Sequence, residues 1–168
     1  MILGAPGRFL LEFAKRARRN ERPLPHFSAL PAPSSLTDRV AGALPLGPDD
    51  KVVCESAEMS LALRRFARPR APFSIVGVSE NIGSMARGAV AGFGAKQEGV
   101  IWVMCDAGSE MVSYKNERGI VTVVVASSAD DRGLDPHMVL SSKDDPAAVL
   151  QKASTEAAGR YVRVLVVS

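Results

Sequence analysis

The sequence predicts an α/β domain, an α+β two-layer sandwich of the order β-α-β-α-β-(α)-β with its helices on one face of a four-stranded sheet. Four short apolar runs rich in β-branched residues, at 73–79, 100–105, 120–126 and 161–167, are typical of strands. Helix signals separate these runs, and such alternation is typical of strands joined by helical crossovers. The chain of 168 residues is long enough for one such domain and an additional arm.

The run at 100–105 is predicted to be a central strand, because its apolar residues are uninterrupted. A helix rich in small residues is predicted at 84–96, with Ser84 as its cap. Each interior glycine costs a helix about 1 kcal/mol relative to alanine, so a close backbone approach must compensate. We expect that approach along a stripe at helical spacing: Gly88, Ala91, Gly92 and Ala95.

Two further helices have signals at both ends. Ser109 is a predicted N-cap for a helix over 110–118, which Gly119 ends. After a loop at 127–143, Asp145 and Pro146 occupy the N-cap and N1 positions of a helix that runs to residue 158.

Charge and proline divide the chain. Residues 1–70 have 12 Lys and Arg against 7 Asp and Glu, a net +5, whereas residues 71–168 have 9 against 11, a net −2. Nine of the 11 prolines lie at or before position 72. We therefore predict a basic, Pro-rich arm over 1–70, extended except for one helical turn near 36–43 and a helix over 55–68 capped by Ser56. The domain is predicted to be residues 71–168.

The beginning of the arm has two interpretations of equal weight. Residues 8–19 place apolar side chains on one helical side and four basic side chains mostly on the other, with one acid among them. Such a segment is typical of a mitochondrial targeting presequence. It is equally typical of a basic terminal helix that clamps an acidic partner or a nucleic-acid backbone.

Several classes of site are not expected. Cys54, Cys105 and the two histidines lack the short spacings of zinc ligands, and no apolar run approaches the ~18 residues that a bilayer span needs. Neither a phosphate-loop motif nor a dinucleotide fingerprint occurs, so no cofactor is predicted. No nucleophile elbow occurs either, and we predict that the protein is not an enzyme. Trp102 is predicted to be core, and a charged solvated surface is predicted from Asp106, Glu110, Lys115 and Glu117.

Residues 73–127 and 159–168 resemble the stage V sporulation protein S family, a branch of the Alba-like nucleic-acid-binding fold. The resemblance rests on Val78-Ser79, on the helix sequence from Arg87 to Gly92, on Ala107-Gly108 after the second strand, and on Lys115 in the second helix. The last two predicted strands also resemble strands of that family, and residues 128–158 are an inserted loop and helix. The resemblance implies the four-stranded, one-sided architecture and nucleic-acid binding.

Two hypotheses about function follow. The first is a nucleic-acid-associated, chiefly RNA-binding protein of an organellar ribonucleoprotein such as the mitochondrial ribosome, with phosphate contacts from Arg64, Arg65, Arg68, Arg70, Arg87, Lys115 and Arg118. The alternative for the arginine cluster at 64–70 is a solvated basic surface. The second hypothesis is a structural subunit of an organellar complex, whose arm contacts neighbouring protein subunits. A homodimer fits either hypothesis, and the location is expected to be mitochondrial or, alternatively, cytoplasmic.

Overall fold

The structure is a computed structural model that describes most of the chain after residue 31. The chain divides into two compact units, Met1–Pro31 and Ala32–Ser168, and every described residue belongs to the second. The predicted helix at 8–19, most of the predicted helix at 84–96, and Gly88 and Gly92 lie outside the described residues. Those described are residues 32–55, 57–67, 75–77, 89–91, 99–113, 118–126 and 134–167.

Helices and strands alternate along the second unit. A helical stretch at 89–91 and a 3₁₀ turn at Glu110–Ser113 accompany them. In chain order the elements are α1 (Leu36–Ala43), β1 (Lys51–Cys54), α2 (Ala57–Phe66), β2 (Ile75–Gly77), β3 (Ile101–Asp106), β4 (Ile120–Ala126), β5 (Met138–Ser141), α3 (Pro146–Ala157) and β6 (Val162–Val167).

One six-stranded sheet organises the domain, in the order β2-β1-β3-β4-β6-β5. Every neighbouring pair is parallel. The α/β class is confirmed, and all four predicted strands lie in the sheet with β3 in its interior. The predicted count of four strands is wrong, since the sheet also contains β1 and β5. Each of these is four residues long, which is too short to show a pattern of its own.

Helices cover both faces of the sheet, not one face as predicted. The chain moves from β1 outward to β2, returns past β1 to β3 and β4, passes the position of β6 to reach β5, and then steps back to β6. Crossovers of a single hand must lie on opposite faces when they run in opposite directions. The packing agrees: α2 and α3 lie on one face, whereas Val90 and the 3₁₀ turn lie on the other.

Two apolar cores result, one on each face. The first is centred on Trp102, which is fully buried as predicted, and receives Leu63 from α2 and Leu150 from α3. The second contains Val103, Val124 and Leu165 from the sheet with Val90, Met111 and Val112 above them. Alternate residues of each strand enter opposite cores, which is why the central strands are apolar at nearly every position. Among the described residues, no helix is long and apolar enough to cross a bilayer.

Residues 32–67 belong to the domain and not to an arm, so the predicted boundary after residue 70 is wrong. The predicted turn near 36–43 is the two-turn helix α1, which begins with a capping box between Ser35 and Asp38. Arg39 of α1 donates hydrogen bonds to the carbonyl oxygens of Ser142 and Asp144, each at 2.9 Å, in the loop after β5. Because β1 lies between β2 and β3, a fragment of residues 71–168 would lack a strand from inside its sheet.

Two other predictions need correction. The insertion at 128–158 contributes β5 to the sheet as well as α3, although the predicted cap of α3 is confirmed: Asp145 Oδ1 accepts a hydrogen bond from Ala147 N at 3.1 Å. The helix predicted over 110–118 is a 3₁₀ turn of four residues, and 114–117 lie outside the described residues. Gly119, which was predicted to end that helix, has φ +84° and lies in the turn into β4.

Candidate functional site

The strand order reverses between β1 and β3, and this reversal defines the candidate site. The chain leaves β1 on the face of the first core and leaves β3 on the face of the second core. Diverging connections leave a crevice outside the carboxyl ends of the two strands, which is where doubly wound parallel sheets bind ligands. Glu55 follows β1 directly. Asp106 is the last residue of β3, and residues 107–109 follow it.

A hydrogen bond joins the two sides of this crevice. Ser109 Oγ donates to Glu55 Oε2, although the two residues are 54 positions apart in the chain. Glu55 is itself held in the sheet, because its backbone N–H donates to Met104 O at 2.8 Å. The Ser109–Glu55 bridge therefore connects the strand-end loops on either side of the reversal.

The loop that presents Ser109 is closed by its own hydrogen bonds. Ser109 N donates to Asp106 O at 3.0 Å, and Ser109 Oγ accepts from Met111 N at 2.9 Å. The second bond is the capping contact that the sequence predicted for Ser109, made here to a 3₁₀ turn. The hydroxyl thus accepts from the turn and donates across the crevice.

The charged residues that the structure describes at this crevice are acidic. Asp106 and Glu110 are exposed on either side of Ser109 in the sequence, and the half-buried Glu55 accepts the hydrogen bond of the Ser109 hydroxyl. Burial raises the pKa of the Cys105 thiol, and the negative charges of Glu55 and Asp106 raise it further. A thiol in this state stays protonated and is a poor nucleophile. The arrangement favours ligands that donate hydrogen bonds or carry positive charge, and it disfavours phosphate groups.

This site was not predicted from the sequence, because the strand β1 was not predicted. The available signal was a short apolar run at 52–54, Val-Val-Cys, followed directly by the acid Glu55. Asp106 and Glu110 were predicted to be part of a charged, solvated surface, and both are exposed. Lys115 and Glu117, predicted for the same surface, lie outside the described residues.

The predicted phosphate-binding residues are only partly described. Arg64 and Arg65 are exposed in the last turn of α2, and Arg118 is exposed in the turn into β4. By topology these residues lie at the amino-terminal edge of the sheet, opposite the acidic crevice. Strands are about 4.8 Å apart, so the amino ends of β2 and β4 are separated by about 14 Å. Outside the described residues lie Arg68, Arg70, Arg87 and Lys115.

No family model matches the chain, and no curated protein is significantly similar to it in sequence. In the described part of the chain, no group of three or more His, Cys, Asp or Glu side chains is placed to hold a metal ion.

Proposed function

We propose that residues 32–168 form a small-molecule-binding module whose site is the crevice between the carboxyl ends of β1 and β3. The observation that supports this most directly is the Ser109–Glu55 bridge, which lies at the reversal of strand order in a parallel sheet. Binding is favoured over nucleophilic catalysis by a thiol, because the pKa of Cys105 is raised by burial and nearby acids.

The ligand class follows from the charges. Carboxylates accept hydrogen bonds from hydroxyl, amino and protonated nitrogen groups, and charge-assisted bonds of this kind are about twice as strong as neutral ones. Glu55 has a second oxygen that can accept from a ligand, and the exposed carboxylate of Asp106 adds acceptors at the end of β3. The ligand is a small molecule rich in hydrogen-bond donors, such as a nucleoside, an amino sugar or a polyamine.

The test is an NMR titration of the full chain with adenosine, glucosamine, putrescine and inorganic phosphate. At least one of the three donors is expected to shift the amide signals of residues 55 and 106–109, and phosphate is not. E55Q should weaken binding of that compound by about tenfold or more, because hydrogen bonds to a charged group are worth about 1.5–3 kcal/mol.

The matched control is E156Q, which neutralises a half-buried carboxylate of α3 paired with Arg160. It should leave binding unchanged, because surface ion pairs contribute about 0–1 kcal/mol to stability and this one lies away from the crevice. Equal binding by E55Q, E156Q and the wild type would contradict the proposed site, as would shifts confined to other parts of the sheet.

A second candidate function is RNA contact through the amino-terminal edge, in line with the Alba-like resemblance and an organellar ribonucleoprotein. The observation that favours it is the exposure of Arg64, Arg65 and Arg118 at the edge opposite the acidic crevice. Phosphates attract such side chains without base recognition. A purely structural role in an organellar complex remains the alternative to this candidate.

The RNA candidate is tested with two double charge reversals of equal size in the full chain. R64E/R65E should weaken binding of a single-stranded RNA and lower the slope of log K against log salt by about 1.4, since each phosphate contact contributes about 0.7. K143E/K152E changes two exposed lysines outside the predicted set and should preserve the slope. If the two variants bind RNA equally, the two arginines do not contact phosphate.

A further inference from the structure

Arg163 is a charged residue inside the sheet. It is the second residue of β6, in a strand that is otherwise Val and Leu, and it is only 4% exposed. It lies on the face of the second core beside its strand partner Thr122 of β4, whereas Val162 and Val164 on either side of it face the first core. A guanidinium in such a place is stable only when its donors are hydrogen-bonded.

Its donors bind the connections on that face of the sheet. Arg163 Nη2 donates to Val112 O at 2.6 Å, in the 3₁₀ turn after β3, and Nη1 donates to Leu134 O, in the connection between β4 and β5. Nε donates to Tyr161 Oη at 3.2 Å, and the guanidinium carbon lies 5.7 Å from the centroid of the Tyr161 ring. One side chain therefore holds two connections that are distant in sequence.

The first of these connections leads to the candidate site. Val112 is 7% exposed, and its N–H donates to Ser109 O at 3.1 Å. Met111, fully buried beside it, donates its N–H to the Ser109 hydroxyl. A continuous set of hydrogen bonds thus runs from the Arg163 guanidinium through the 3₁₀ turn to Ser109 and on to Glu55.

We infer that Arg163 is a positioning residue for the crevice: by binding Val112 O it fixes the 3₁₀ turn and so aims the Ser109 hydroxyl at Glu55. The inference rests on the proposed function for its importance to a ligand, but the positioning itself is a property of the ligand-free protein. A residue that only supported the fold would stabilise the whole domain without any particular effect on the turn.

The test is amide hydrogen exchange in ligand-free protein. R163M keeps an unbranched apolar stem and removes every donor, and it should speed exchange of the Met111 amide by about tenfold relative to the control, since that amide is protected by the turn. The control is V164A, the next residue of β6, which is fully buried but faces the first core. V164A should speed exchange across the whole sheet without singling out the turn.

R163K provides a second variant that is expected to fold, because its ammonium keeps the charge and can reach one of the two carbonyls. The exchange rate of the Met111 amide in R163K should lie between the rates in the wild type and in R163M.

In the wild type, nuclear Overhauser contacts between the Arg163 Nη protons and Val112 are expected, and their absence overturns the inference. It is also overturned if Met111 exchanges no faster in R163M than in V164A. A third combination of results separates the two proposals. If R163M speeds exchange at Met111 but E55Q does not change ligand binding, the proposed function is contradicted and the positioning role of Arg163 is supported.

Discussion

Trp102→Ala is expected to lower the free energy of unfolding by about 3–5 kcal/mol, which is the usual cost of removing a large buried aromatic side chain. Trp102 has no exposed surface and is the largest fully buried side chain of the described residues. It lies between Val52 of β1 and Val121 of β4 in the middle of the sheet. Its removal leaves a cavity at the centre of the first core, where α2 and α3 meet the strands.

The measurement is urea unfolding followed by circular dichroism. V139A is the control, because Val139 on β5 is 53% exposed and its truncation should cost less than about 0.5 kcal/mol. A loss below about 1 kcal/mol in Trp102→Ala would mean that the first core is not organised around this residue.

Gly99→Ala is the second substitution with a large expected effect. A Cβ atom at Gly99 would lie 2.6 Å from the carbonyl carbon of Asp49 and 2.7 Å from both Asp49 O and Asp50 Oδ1. Two of these three atoms are backbone, so no rotation of a side chain can make room. We expect a loss of about 1–3 kcal/mol from overpacking.

The clash would also disturb a buried carboxylate. Asp50 is 8% exposed, and its two oxygens accept from Gly47 N at 2.7 Å and from Val100 N at 2.8 Å. These bonds tie the entry of β1 to the entry of β3. A shift of Asp50 away from a new Cβ would weaken both, so the loss belongs at the upper end of the range.

Gly108→Ala is the matched control for Gly99→Ala. A Cβ atom at Gly108 would meet nothing within 4 Å, and the residue is exposed in the loop after β3. Thermal unfolding should therefore separate the two alanine variants clearly. Equal melting temperatures would show that the backbone around Gly99 can relax at little cost.

Elements with strong local signals were predicted well. The strand at 120–126 has the predicted bounds, and β3 and β6 begin within one residue of prediction, because mainly apolar runs rich in β-branched residues are typical of buried parallel strands. The N-terminus of α3 is where Asp145 and Pro146 predicted it. The 3₁₀ turn at Glu110–Ser113 was predicted as a longer helix, since its cap signal sets where a turn begins but not how far it continues.

Long-range pairing explains the elements that were missed. A four-residue strand such as β1 has too few positions for a periodic pattern, and it is stabilised by ladders to β2 and β3, which begin more than 20 residues later. The Pro-rich composition around it predicted an extended arm. Prolines among residues 32–67 lie outside the helices and the strand, so they do not prevent β1 from joining the sheet.

The amino-acid sequence by itself determined the α/β class, the central strands and the ends of α3, because these depend on the side chains of neighbouring residues. Only the tertiary structure decided the strand order, the helices on both faces and the crevice. The bridge from Ser109 to Glu55 spans 54 positions, and the bond from Arg163 to Val112 spans 51. Contacts of this kind exist only once parallel strands from distant parts of the chain are placed side by side, and no local pattern encodes that order.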